Sequence, residues 1–182
     1  MIEVDTPAGQ QALLRHELDI AVIRLSAPSR ALTVQPWRRD HFVIALQKQH
    51  PAAADQGRPV DLAQFADEAW VWLHRDASPA YHDELMATCR QAGFTPDLHH
   101  RAKSITTQLT MVACGLGVTL VPNVAARSIH PPTVHRPLAK RADLVELALV
   151  SRADGHQPLV DEFVRTALDL TAGEQAHPRR PA

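Results

Sequence analysis

No apolar run of about 18 residues occurs in the 182-residue chain, so no membrane-spanning helix is expected. The first residues, Met1 to Asp5, carry neither the basic nor the apolar stretch of a secretion signal. A cytoplasmic protein is the expectation. Cysteine is scarce. Only Cys89 and Cys114 are present, both inside helical patterns, and in a reducing compartment they are expected as buried thiols rather than a disulfide. Charge of one sign is also lacking: the net charge is -1, which leaves no electrostatic footprint for nucleic acid. The basic pairs Arg38-Arg39 and Arg179-Arg180 are too short to alter that.

The chemical motifs of common enzymes are missing too. There is no Cys-x-x-Cys and no His-Glu-x-x-His, so no metal is expected. The eleven histidines are scattered. His99 and His100 sit on a strand pattern and should face opposite ways, and His130 and His135 flank a proline loop. A pair of glycines, Gly115 and Gly117, invites a phosphate-loop reading, but the order is wrong. Phosphate loops run strand, glycines, helix, and place the anion on a helix N-terminus. Here a helical pattern runs into the glycines and a strand pattern leaves them, so the helix presents carbonyls. No serine has the flanking glycines of a nucleophile elbow. Neither cysteine lies near a helix N-terminus that would activate it. Asp67-Glu68 and Asp83-Glu84 are sequence neighbours, which diverge on a helix instead of converging on a substrate. No catalytic residue and no cofactor are expected.

What is present is ordinary globular composition, 45% hydrophobic and 21% charged, enough to build a real core. Met1–Asp5 reads as a short strand, followed by a helix that Thr6 caps, with Pro7 at its first position. Ile20, Val22, Ile23 and Leu25 form a strand buried on both faces. "LTVQPW" and "HFVIALQ" are two further strands, and residues 50–59 form a loop. "VDLAQFADE" gives a helical turn or two, and "AWVWL" a strand whose Trp70 and Trp72 share one face as packing residues. A helix follows from Ser78 and Pro79 to Gly93, with Phe94 folding back at its end. "DLHHRA" is a strand. The helix from Ser104 buries Ile105, Leu109, Val112 and Ala113 and ends at Gly115. Strands at Val118–Val121 and "DLVELALVS" come next, separated by the connector "HPPTVHRPL". A last helix covers about 157–170, with Leu159, Phe163, Val164 and Leu168 facing inward, and residues after Thr171 read as a disordered tail. The alternation of strands and helices predicts α/β architecture with mostly parallel sheets.

Two helix starts carry the binding hypothesis. The loop His74–Pro79 follows one strand and opens a helix at Ser78; Lys103-Ser104 follows another strand and opens a second helix. In open α/β sheets, ligands bind at the carboxyl ends of strands, where such helix N-termini collect. Two dipoles with His74, Arg75 and Lys103 suit a small carboxylate.

Five blocks in this order resemble the effector-binding domain of LysR-type transcriptional regulators: "LLRHELDIAVIRL", "HFVIALQKQHP", "CRQAGFTPDL", "SITTQLTMVACGLGVTLVPN" and "VHRPL". The resemblance covers about residues 1–170. It implies a two-lobed, periplasmic-binding-protein-like (type 2) α/β fold. Lobe one would hold residues 1–46 and 138–171, lobe two 47–137, with 172–182 as the tail. It implies a small, anionic metabolite as effector, an organic acid, held in the cleft between lobes. The effector contacts it implies are His74, Arg75, Asp76, Ser78, Ser104 and Ile105, with Ile23 and Arg24 from lobe one, beside the Lys103 of the residue reading. It further implies a homo-oligomer, and DNA contact only through an N-terminal winged helix-turn-helix, which this chain lacks. The family's first strand and helix of lobe one are absent as well, which suggests a truncated gene or a start assigned too late. Their loss would leave an unpaired edge beside Met1–Asp5. His16 stands where the family usually has glycine. A free-standing solute-binding protein, a non-functional relic and a small cytosolic enzyme are the alternative readings.

Overall fold

The structure, a computed structural model, describes residues 1–24, 29–55, 57–128, 133–143, 147–154 and 157–176, with only the backbone at 128 and 172–176. The chain divides into two compact units, Met1–Arg39 with Glu146–Ala182, and Asp40–Val145.

The first unit is a three-stranded sheet with a helix on each face. Strand β1 (Ile20–Arg24) and strand β2 (Leu32–Arg38) flank β8 (Leu147–Arg152), and both run antiparallel to it. Helix α1 (Thr6–Leu14) covers one face, where Leu13, Ala21, Ile23, Leu32, Ala148 and Val150 form the core. Helix α5 (Pro158–Ala176) lies over the other, beside Thr33, Gln35, Leu149 and Ser151. The Trp37 indole of β2 donates to Ala167 O of α5 at 3.0 Å. The Arg152 guanidinium donates to Leu18 O at 2.7 Å and ties the turn after α1 to β8.

Several expectations change here. Met1–Asp5 forms no strand: it makes no β pairing among the described residues, and a strand without a neighbour has no ladder to close. Asp5, not Thr6, caps α1, its Oδ1 accepting from Ala8 N–H at 2.8 Å, so the helix begins one residue earlier. The inner face of α5 is Val160, Val164, Ala167, Leu168 and Thr171, whereas Leu159, Phe163 and Leu170 are exposed. The apolar residues of α5 thus make two stripes, roughly 100° apart around the helix. The helix also continues past Leu170 to Ala176, into the expected tail; residues 177–182 lie outside the described residues.

The second unit is built on β3 (Phe42–Gln47), which lies between β6 (Thr119–Pro122) and β7 (Thr133–Pro137), antiparallel to both. The expected boundary at residue 46 placed β3 in lobe one; its partners place it in this unit. Strands β4 (Ala69–Leu73) and β5 (Asp97–Ala102) pair in parallel. A parallel bridge from Trp70 to Val118 joins them to the β6 side. Four of the five described ladders are thus antiparallel, contrary to the expectation of mostly parallel sheets; only β4 and β5 pair in parallel. In the first unit β8, and in the second β6 and β7, run against the earlier strands they join, an order that local alternation of elements does not reveal.

Both faces of β3 are buried. Phe42, Ile44 and Leu46 join Trp70, Trp72, Tyr81 and Leu85 in the larger core, against helix α2 (Pro79–Gln91). Val43 and Ala45 join Leu109 and Val121 on the side of helix α3 (Ile105–Ala113). Trp70 and Trp72 pack edge to face with ring centroids 5.7 Å apart, as packing residues on one face should. A short helix, α4 (Asn123–Ser128), had no counterpart in the sequence reading; Asp40 Oδ2 accepts from Val124 N–H at its start, at 3.2 Å. Cys89 is buried, and burial pushes its thiol up to about 12. Cys114 is exposed, contrary to expectation, because it is the capping residue of α3 and turns away from the core.

Three helices end alike. After α2, Gly93 N–H donates to Arg90 O at 3.0 Å and Phe94 N–H to Cys89 O at 3.2 Å. After α3, Gly115 N–H donates to Val112 O at 2.9 Å and Leu116 N–H to Met111 O at 3.1 Å. These paired bonds are the Schellman closure, and its left-handed position suits glycine. After α1 the same bonds form from His16 and Glu17, with His16 at φ 60°. Gly117 has a different duty. A Cβ there would lie 2.2 Å from Ala69 O, because the chain passes against β4 to make the Val118–Ala69 backbone bond.

Candidate ligand-binding site

The two expected helix starts lie side by side, and the sheet explains why. β4 and β5 are parallel neighbours in a register that sets Leu73 opposite Ala102, so their following loops leave at the same level. His74 N–H donates to Ala102 O at 2.8 Å and locks the first loop to the second strand. His74–Ser78 and Lys103–Ile105 are thereby brought together at the carboxyl ends of two parallel strands.

The second loop matches its expected form. Ser104 is extended (φ -143°, ψ 160°) and its Oγ accepts from Thr107 N–H at 3.1 Å, a capping bond that leaves the remaining first-turn N–H groups free. The Thr107 hydroxyl lies 3.0 Å from Ser104 Oγ. Lys103 is exposed just before this start. Ile105 is half-buried and packs on the cluster of Val43, Ala45, Leu109 and Val121. Behind it, Gln108 is fully buried and donates to Val71 O at 3.2 Å and to Thr119 Oγ1, which pins α3 to β4 and β6.

The first loop differs from its expected form. Ser78 precedes α2 and makes no capping bond; its Oγ is buried without a partner. Its backbone (φ -161°, ψ 95°) is extended, but the hydroxyl does not reach the first-turn N–H groups. Residues Arg75–Ala77 form a short 3-10 turn, with His74 Nδ1 accepting from Asp76 N–H at 3.4 Å. His74 Nδ1 also lies 3.4 Å from an Asp76 carboxylate oxygen, an ion pair when the ring is charged. Arg75 is not free. Its Nε and Nη2 donate to the two Asp83 oxygens at 3.2 and 3.1 Å. The hydrogen bond from Arg75 holds the Asp83 carboxyl below the usual carboxylate range. Arg75 and Asp83 are both largely exposed, so this fork orients the loop more than it stabilises the fold.

Ile23 and Arg24 belong to the first unit, at the end of β1. The Ile23 side chain is core, 3% exposed, and meets Gly9 of α1, so it is not placed to contact a ligand. Among the described residues no group of three or more His, Cys, Asp or Glu side chains is placed to hold a metal ion. His99 is exposed and His100 half-buried, on alternate sides of β5. His130 lies outside the described residues. No described helix is long and apolar enough to cross a membrane.

Sequence reasoning did not anticipate the Arg75–Asp83 fork or the unpartnered Ser78 hydroxyl. Both depend on how the 3-10 turn sets α2, and no local pattern carries that angle.

Two α/β units, one presenting a pair of adjacent strand-end loops with a serine-capped helix, are the architecture of a periplasmic-binding-protein-like ligand-binding domain. The chain belongs to the LysR substrate binding domain family, whose model matches residues 1–172. It is 33% identical over 170 residues to the HTH-type transcriptional regulator CatR of Pseudomonas putida, covering 93% of this chain and 56% of CatR. It is 25% identical over 162 residues to AlsR of Bacillus subtilis, covering 89% of this chain and 53% of AlsR. The chain thus spans about half the length of these curated relatives. In fold it is similar to the BenM effector binding domain with its effector benzoate, at a TM-score of 0.81 and 21% identity, covering 98% of this chain and 80% of that one. It is likewise similar to the effector binding domain of QuiR in complex with shikimate, at a TM-score of 0.77 and 17% identity, covering 93% and 79%.

Proposed function

We propose that this chain is the effector-sensing part of a transcriptional regulator and that its effector is a small organic acid. The observation that supports this most is the junction of the two strand-end loops, joined by the His74–Ala102 bond beside the capped start of α3. The N–H groups of that first turn and the nearby Lys103 supply donors and positive charge for a carboxylate. His74, Asp76 and Ser78 shape the adjoining loop. Arg75, held by Asp83, contributes a fixed field more than a free guanidinium. DNA contact and oligomer formation belong, on this reading, to a longer regulator of the kind its curated relatives represent.

The test is a thermal-shift panel of organic acids that includes benzoate and shikimate, the ligands of two proteins of like fold. An acid present at about 100 times its Kd should stabilise the folded chain by about 2.7 kcal/mol. Replacing Lys103 by Gln should weaken that response without lowering the melting temperature of the free protein. A folded chain that no acid in the panel stabilises refutes the reading.

A further inference from the structure

A cavity of about 240 Å³ lies wholly within the second unit, with Trp72, His74, Arg75, His82, Leu98 and Arg101 in its wall. Three features set it apart from a packing gap. One is a concentration of unmet hydrogen-bonding capacity. Among the described residues, five buried side-chain polar atoms lack a hydrogen-bond partner, and three of them sit in the β4–α2 corner: Trp72 Nε1, Ser78 Oγ and His82 Nδ1. Trp72 is 1% exposed, and its indole N–H can only donate. Buried polar groups are almost always paired, so such an orphan asks for an acceptor. His82 Nδ1 lies 3.5 Å from Asp83 Oδ1, close enough for an ion pair but without a hydrogen bond.

The second feature is a contrast within the chain. The Trp70 indole donates to Phe65 O at 3.1 Å and the Trp37 indole to Ala167 O at 3.0 Å. Of the three indoles, only that of Trp72, in the cavity wall, goes unmet. The third is charge. The wall carries two arginines and two histidines and no carboxylate. Asp83 occupies Arg75, whereas the Arg101 guanidinium has no ion-pair or hydrogen-bond partner among the described residues.

We propose that this cavity is a second anion site, for a monocarboxylate with a short apolar body. One carboxylate oxygen accepts from Trp72 Nε1, Arg101 balances the charge, and the apolar part rests on Leu98. The cavity shares His74 and Arg75 with the first strand-end loop, but Trp72, His82 and Arg101 take no part in the capped start of α3.

Indole N–H resonances of the ¹⁵N-labelled chain test this during titration with sodium benzoate, with benzyl alcohol as the uncharged control. The Trp72 signal is assigned by its loss in Trp72→Phe, or by its through-space contact with the Trp70 ring should that variant not fold. The expected result is a saturable movement of the Trp72 signal alone, with Trp70 and Trp37 unmoved and benzyl alcohol without effect. Arg101→Gln, an exposed change, should weaken the response about tenfold. The movement should persist in Lys103→Gln, which separates this cavity from the strand-end site. A Trp72 signal that benzoate leaves in place, that benzyl alcohol moves equally, or that is indifferent to Arg101→Gln overturns the proposal and leaves water as the partner of the indole. A thermal shift by benzoate without movement of Trp72 leaves the strand-end site standing and removes this one.

Discussion

The backbone at His16 is left-handed at the end of α1, where the equivalent positions after α2 and α3 are Gly93 and Gly115. A side chain with a Cβ costs about 1 kcal/mol there. His16→Gly should therefore raise the urea unfolding midpoint, by about 1 kcal/mol of stability, with no change in the unfolding slope. Such positions were legible from sequence, since glycine followed by an apolar residue and then a halt in helical pattern is a local signal. His135 shows what was not legible. Burial holds its imidazole below the ordinary value. The unfolded ring then takes its proton first as pH falls, so the folded state binds fewer protons in the window below about 6.5. Stability should fall from about pH 7 to about pH 5.5, and the fall should be smaller in His135→Gln. Matched urea titrations of the two chains check this; equal falls would mean that His135 plays no part. The sequence shows a histidine beside prolines, and only the packing of β7 decides that it is half-buried.

At the scale of elements, two serines read alike and behave differently. Ser104 caps α3 through Thr107 N–H, whereas Ser78 makes no capping bond at α2. Ser104→Ala should cost about 1 kcal/mol. Ser78→Ala should be near neutral or slightly stabilising, because it removes a buried hydroxyl that has no partner. Chemical denaturation of both variants separates the two; a larger loss from Ser78→Ala would contradict the arrangement of the 3-10 turn. The element sequence itself was mostly readable: β1 to β6, the glycine ends of α2 and α3 and the turn near Phe65 fall where the sequence pattern put them, whereas α5 runs past its expected end. The face of α5 was not. Its apolar residues fall in two adjoining stripes, and only the sheet beneath selects Val160, Val164 and Leu168 over Leu159 and Phe163. Strand direction was equally hidden, because antiparallel pairing with β8 and β6 comes from residues more than 70 positions away.

At the scale of the whole molecule, sequence order alone carried the family, since five spaced blocks constrain far more than any single motif. It also carried the idea that the helix start, not the glycine pair, is the functional end of α3: Gly115 closes that helix and Gly117 admits the backbone of β4. The cavity walled by Trp72 and Arg101 could not be read this way, because its residues come from β4, the loop after it, β5 and α2 and meet only in three dimensions. The central claim is that the joined strand-end loops bind a small acid. Amide hydrogen exchange tests it most directly, run with and without a saturating acid that gives a thermal shift. The account predicts slowed exchange at residues 74–78 and 104–107, above any general slowing from added stability. Protection confined to other segments, with these amides exchanging as in the free chain, would contradict it.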